Sequence, residues 1–183
     1  MTRPHEAKAR MALAALKQAG ARVVLAESCT GGLLAGALTD VPGASAVVER
    51  GFVVYSNEAK SELLGVPADL VARWGAVSEA VATAMAEGAL GASPAEIAVA
   101  VTGVAGPGGT PSKPEGLVHF ACAVRDGETT SLRRDFGPIG RARVRDESVD
   151  QALDLLIEAA GRARIAARPD PGPSADAGPS TDG

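Results

Sequence analysis

At 183 residues, 46% apolar and 22% charged, the chain has the size and balance of one globular domain with a full core, not of two. Aromatic residues make up 3% and the net charge is −4, so stacking platforms and excess cations for a nucleic-acid groove are both lacking. Two cysteines outside any CxxC pair and two histidines argue against a disulfide framework, a zinc site or a Ser-His-Asp triad. With no apolar run near the length of a membrane span and no signal-peptide core at the N-terminus, the expected compartment is the cytoplasm.

A first helix is predicted over about 6–18, with Met11, Leu13, Ala15 and Leu16 at helical spacing and Gly20 as its stop. Residues 22–26 form an apolar, branched run suited to a buried strand, and 33–39 read as a second helix. Asp40-Val41-Pro42-Gly43 is a turn. A strand over 51–55 leads into a short helix reaching Leu64, with Ser56 or Asn57 as its cap. Pro67 opens a further helical piece ending at Trp74-Gly75, and Ser78 caps a longer helix closed by Gly91. A third strand is expected over 96–101, then a Gly/Pro loop over 102–111. Two strands, 117–124 and 129–136, flank the hairpin signal Asp126-Gly127. A last helix is predicted over 142–166 with Val144, Val149, Leu153, Leu156 and Ile157 on one side. The predicted fold is therefore α/β, a single-domain layered sandwich with a mixed sheet flanked by helices, over 1–167. The Pro/Gly/Ser/Asp-rich residues 168–183 have nothing to bury and read as a disordered tail.

In such sheets ligands collect beyond the carboxyl ends of the strands. The stretch from Leu25 to Gly32 (Leu-Ala-Glu-Ser-Cys-Thr-Gly-Gly), the segment from Tyr55 to Lys60 and the glycine-rich loop all follow strands directly. Ser28 beside backbone N–H groups of the Thr30–Gly32 turn has the makings of a nucleophile with an oxyanion hole; Ser28 or Thr30 as a plain helix N-cap is the commoner role. Lys60 lies in the first turn of its helix, where the dipole and burial both lower an amine pKa and supply the base a serine needs. The competing reading leaves Lys60 a solvated surface residue. Tyr55 can orient a proton or close a strand end. Cys29 ranks below Ser28 as nucleophile, having no histidine partner in view. His119 alternates with Leu117 and Ala121, as a packed strand residue does. The glycine-rich loop lacks the GK[ST] ending of a P-loop, yet its N–H groups can wrap a phosphate or simply cover the surface. Arg141, Arg143 and Arg145 read mainly as an exposed helix face, with one arginine able to reach an anion.

Taken together, Glu27-Ser28-Cys29-Thr30-Gly31-Gly32, Val41-Pro42-Gly43-Ala44-Ser45, Tyr55-Ser56-Asn57 with Lys60, Gly75-Ala76-Val77-Ser78, the run from Thr102 to Gly109 and Lys113-Pro114 closely resemble the CinA C-terminal domain family. The resemblance covers about 7–165 and implies a stand-alone nicotinamide-nucleotide amidase. Such an enzyme hydrolyses nicotinamide mononucleotide to nicotinate mononucleotide and ammonia, with no metal and no cofactor. It implies Ser28 as nucleophile, Lys60 as base and Tyr55 as assistant. Thr30, Gly31, Gly32, Thr102, Gly103, Ala105, Gly106 and Arg141 would contact the substrate. A homo-oligomer, with no nucleic acid or membrane as partner, completes the expectation. Two departures stand out: Glu115, where the family has a small apolar residue, and Ile139-Gly140-Arg141, where it tends to show Gly-Asp-Arg without the one-residue insertion seen here. Two readings from other classes remain beside the enzyme, a non-catalytic nucleotide- or phosphate-binding module and a competence- or damage-related interaction protein.

Overall fold

The structure, a computed structural model, describes residues 5–163. The tail expected over 168–183 lies outside the described residues. Five strands form one mixed sheet in the order β2-β1-β3-β4-β5: β1 (Val23–Glu27), β2 (Val48–Val53), β3 (Ile97–Gly103), β4 (Leu117–Val124) and β5 (Thr129–Asp135). β1 runs parallel to β2 and to β3, and β3, β4 and β5 are antiparallel neighbours. Helices α1 (Glu6–Ala19), α2 (Leu33–Thr39) and α6 (Arg141–Arg162) cover one face, while α3 (Asn57–Leu64), α4 (Ala68–Trp74) and α5 (Glu79–Gly91) cover the other. Among the described residues no helix is long and apolar enough to cross a membrane.

Each strand residue faces one of the two cores by simple alternation. Val23, Leu25, Val99, Val101, Phe120 and Cys122 join the α1–α2–α6 core, and Val24, Ala26, Ala98, Ala100 and Ala121 join the α3–α5 core. The second set is small because α5 lies close on that face, with its own Ala82, Ala86 and Ala89 against it. β1 is buried along its whole length, as a central parallel strand between two helical layers must be.

Local chemistry accounts for most element ends. Gly20 closes α1 in the left-handed region, at φ 64°, and donates to the carbonyls of Leu16 and Lys17. Ser56 and Ser78 cap α3 and α5 by accepting from the N–H groups of Ala59 and Val81. Asp126, at φ 58°, turns the β4–β5 hairpin where the Asp-Gly pair signals it.

Three elements depart most from the sequence reading. β2 begins at Val48, three residues early, because its parallel register sets Val48 against Val23 and leaves Val54 and Tyr55 beyond the strand. β3 continues through Thr102 and Gly103, expected to be loop, because β4 pairs with them through His119 and Val118. α6 ends at Arg162, short of the expected Ala166.

α3 is held against α5 by an unusually close approach. A Cβ added at Gly88 would lie 1.9 Å from the carbonyl oxygen of Leu64 at the end of α3. Gly88→Ala is therefore expected to push α3 away and lower stability by about 1–3 kcal/mol, the usual cost of overpacking. A denaturant titration checks it: an unchanged midpoint would show that the two helices part freely.

Candidate active site

Ser28 is the residue after β1, and its N–H still donates to Val101 O at 2.9 Å, so the strand geometry carries one residue past the sheet end. Alternation from Val24 and Ala26 puts its side chain on the α3–α5 side. There it meets Lys60, the fourth residue of α3, whose side chain is buried (1% exposed). Lys60 Nζ lies 3.2 Å from Ser28 Oγ, 2.9 Å from Val54 O, 3.2 Å from Tyr55 O and 3.3 Å from Ser56 O. The solvated reading of Lys60 does not hold. β2 ends just before these carbonyls, and the Ser56 cap turns the chain so that α3 points its first turn back at them.

Burial pushes the Lys60 amine below the 10.5 of an exposed lysine, against smaller opposing effects of Cys29 and Glu58. A neutral amine has two N–H bonds and one lone pair. Two of the three carbonyls can take the N–H groups, which leaves the lone pair for the Ser28 hydroxyl proton. This is the geometry of a nucleophile beside its base. Cys29, the next residue, is in the α1–α2–α6 core, and burial drives its thiol up to about 12. It is an inert packing group.

The turn after Ser28 is built differently from the N-cap reading. The cap position of α2 is Gly32, at φ 94°, and no side chain caps there. Instead the buried carboxylate of Glu27 reaches the helix start, accepting from the N–H groups of Gly32 (2.9 Å), Leu34 (3.1 Å) and Ala35 (2.8 Å). A carboxylate there satisfies both the unpaired amides and the dipole. On the other side Arg145, from α6, donates Nε–H to Cys29 O at 3.1 Å and Nη2–H to Thr30 O at 2.9 Å. The amides of Gly31 and Gly32, expected as oxyanion donors, are taken by Ser28 O and by Glu27. Thr30 is fully buried, and its Oγ1 has no hydrogen-bond partner among the described residues.

The glycine-rich loop and the start of α6 form the outer wall. Arg141, the first residue of α6, donates to Gly106 O (3.0 Å) and to the Tyr55 hydroxyl (3.1 Å), and all three residues border solvent. Tyr55 is 60% exposed. Its side chain thus binds Arg141 at the rim, and only its backbone carbonyl touches Lys60. Thr102 is buried and donates Oγ1–H to Ala76 O, tying β3 to the segment before α5. Gly103 is required by packing, since a Cβ would meet Val118 Cγ2 at 2.7 Å. Ala105 is buried beneath the loop. Glu115 accepts from Gly108 N–H (3.1 Å) and Gly140 N–H (3.2 Å), joining the loop to the start of α6. Lys113 donates to Trp74 O and Val77 O, which explains the Lys-Pro motif as a strap on the α4–α5 connection.

Ser28, Lys60, Thr30, Gly31 and Gly32 come together at the end of β1, with Tyr55, Gly106 and Arg141 at the rim. Thr102 lies on the neighbouring strand. Sequence reading gave no role to Glu27 and placed Arg145 mainly on an exposed helix face, in a cluster from which one arginine could reach an anion. Arg145 follows Arg141 by four residues and so shares its helix side, and an acid one strand-end before a helix suits the dipole; both signals were available. Among the described residues no group of three or more His, Cys, Asp or Glu is placed to hold a metal.

The sequence model of the CinA C-terminal domain matches residues 5–160. A CinA-like protein of Anaeromyxobacter dehalogenans (strain 2CP-1) is 53% identical over 147 residues, which is 80% of this chain and 36% of that protein. Another, from Akkermansia muciniphila, is 52% identical over 145 residues, 79% of this chain and 35% of that protein. The chain thus spans about a third of the length of these curated relatives. Among solved structures, the competence/damage inducible protein CihA from Agrobacterium tumefaciens superposes with a TM-score of 0.83 at 48% identity, covering 86% of this chain and 96% of that one. A CinA superfamily protein from Klebsiella pneumoniae gives a TM-score of 0.83 at 35% identity, covering 87% and 99%.

Proposed function

The chain belongs to the CinA C-terminal domain family, and from that premise we propose that it is an amidohydrolase converting nicotinamide mononucleotide to nicotinate mononucleotide and ammonia. The observation that carries the reading is the buried Lys60 amine 3.2 Å from the Ser28 hydroxyl, with no other base beside that serine among the described residues. Ser28 Oγ attacks the carboxamide carbon as its proton passes to neutral Lys60. The ammonium then returns that proton to the amide nitrogen, the C–N bond breaks and ammonia leaves. Water attacks the resulting ester, its proton again taken by Lys60 and passed to Ser28 Oγ as the acid departs. Each half-reaction begins and ends with a neutral amine.

The rim supplies the anionic part of the substrate with a partner. Arg141 has guanidinium donors beyond the two bonds it makes to Gly106 and Tyr55, and a phosphate suits such a fork. Glu115 fixes the loop and the start of α6 that carry this arginine. Glu115→Ala is expected to raise KM for nicotinamide mononucleotide about tenfold with kcat nearly unchanged, the pattern of lost uniform binding. Steady-state kinetics decide it, and an unaltered KM would remove Glu115 from substrate placement.

The proposal as a whole is tested by ammonia release from nicotinamide mononucleotide, with chromatography of the acid product. Thermal protection by the nucleotide without ammonia would favour a binding module instead. The name of the Agrobacterium structural neighbour speaks of competence and damage and specifies no chemistry, so that assay decides it for this chain.

A further inference from the structure

We propose that Lys113 is a positioning residue of this site, and that the chain it grips, residues 74–78, is the wall against which the substrate carboxamide is set. The inference rests on the amidase reading given above and adds to it the surface that orients the reacting group.

From Trp74 to Val77, in the connection between α4 and α5, every backbone carbonyl accepts from a side chain. Lys113 Nζ donates to Trp74 O at 2.6 Å and to Val77 O, reaching back 39 and 36 residues. Ser78 Oγ–H donates to Gly75 O at 2.9 Å, and Thr102 Oγ1–H to Ala76 O at 2.9 Å. A surface connection ordinarily leaves such groups to water. Here one ammonium closes both ends of the arc. Gly75 makes room for it: its φ is 76°, and a Cβ there would lie 2.6 Å from Lys113 Nζ and 3.3 Å from its Cε. Lys113 is itself fixed, since its backbone exchanges hydrogen bonds with that of Thr110 at 2.9 and 3.0 Å.

This arc stands beside the nucleophile. Glu27 pairs with Val101, so Ser28 and Thr102, the next residue of each chain, are neighbours about 4.8 Å apart. Alternation from Ala26 and Ala100 turns both side chains to the α3–α5 face. The Thr102 hydroxyl then carries that position on to Ala76 O. β1 lies between β2 and β3 in the sheet. Lys60 reaches Ser28 from the β2 side, because its carbonyl partners Val54, Tyr55 and Ser56 follow β2. Residues 74–78 come from the β3 side. A carboxamide at Ser28 Oγ therefore lies between the base and this wall, and the wall sets the tilt of the amide plane toward the attacking oxygen. Attack tolerates only a narrow range of such geometries, and a misplacement of about 1 Å costs about 10²-fold in rate.

The test compares wild type, Lys113→Met, Lys113→Arg and Gly75→Ala in steady-state ammonia release from nicotinamide mononucleotide, well below the melting temperature of each. Lys113→Met is expected to lose about 10²-fold in kcat, with KM within about threefold of wild type. Lys113→Arg, which keeps donors for both carbonyls, is expected to recover about tenfold of that loss. Gly75→Ala expels the ammonium from the other side and is expected to fall to the level of Lys113→Met. The double variant should lie within about threefold of either single one, because both changes break the same contact. A strap that served stability alone would lower the melting temperature and leave kcat in place. A kcat within about fivefold of wild type in folded Lys113→Met, or a rise in KM with kcat preserved, overturns the inference, as does a double variant whose losses multiply. If Lys113→Met does not fold, Gly75→Ala is judged by the same kcat and KM criteria. A wild type that releases no ammonia overturns the amidase reading and this inference with it. An active wild type with an unimpaired Lys113→Met overturns this inference alone.

Discussion

Ser28→Ala is expected to abolish ammonia release from nicotinamide mononucleotide, by at least about 10³-fold, while leaving the fold in place. The loss is large because no second nucleophile stands at that point. Cys29 is adjacent, but its thiol is in the core with a pKa near 12, so the thiolate is scarce at neutral pH and faces the wrong layer. The fold should survive because Ser28 is held by its backbone: the N–H to Val101 and the carbonyl to Gly31 are both kept in alanine. The change removes one oxygen from beside Lys60, which keeps three carbonyl partners. Circular dichroism and a thermal melt give the control. Activity retained in a sample free of wild-type enzyme would dismiss Ser28 as the nucleophile.

Lys60→Met should be nearly as damaging, with kcat down about 10²–10⁴-fold, the usual range for a general acid–base group. Methionine keeps the length of the side chain, so the result separates chemistry from packing. In the wild type, activity should rise with pH as Lys60 loses its proton, with a midpoint below 10.5 because burial disfavours the ammonium. The same shift has a stability counterpart. Between the folded pKa and 10.5 the unfolded chain binds the proton and the folded chain does not, so this contribution to stability rises with pH across that window. It is complete above 10.5 and lost as pH falls through the folded value. Lys60→Met should lack both the acid limb of the rate profile and this contribution. A residual activity that keeps the wild-type pH profile would assign the base elsewhere.

The alternation of helices and strands, the Asp-Gly hairpin and the capping serines made the layered α/β fold legible from sequence, because each is a local signal. The placement of Ser28 just past a strand and of Lys60 in the first turn of the helix after the next strand was legible for the same reason. What was not legible depends on contacts between distant segments. Glu27 was hidden because a carboxylate that bonds helix amides seven and eight residues on looks, in sequence, like any acid near a helix. Arg145 was hidden because its carbonyl partners lie more than a hundred residues away. The β2 boundary was displaced by register with β1, which no propensity reports. The assisting role of Tyr55 is implied by the family resemblance alone; its exposed side chain bonds Arg141 at the rim, and its carbonyl accepts from Lys60.

β1 divides the two cores, and the parts of the site divide with it. The base comes from the α3–α5 layer, whereas the groups that shape the turn after the nucleophile, Glu27 and Arg145, belong to the α1–α2–α6 layer. Only the short stretch from Glu27 to Thr30 belongs to both. A packing change in either layer therefore reaches the other half of the site through the backbone of those four residues.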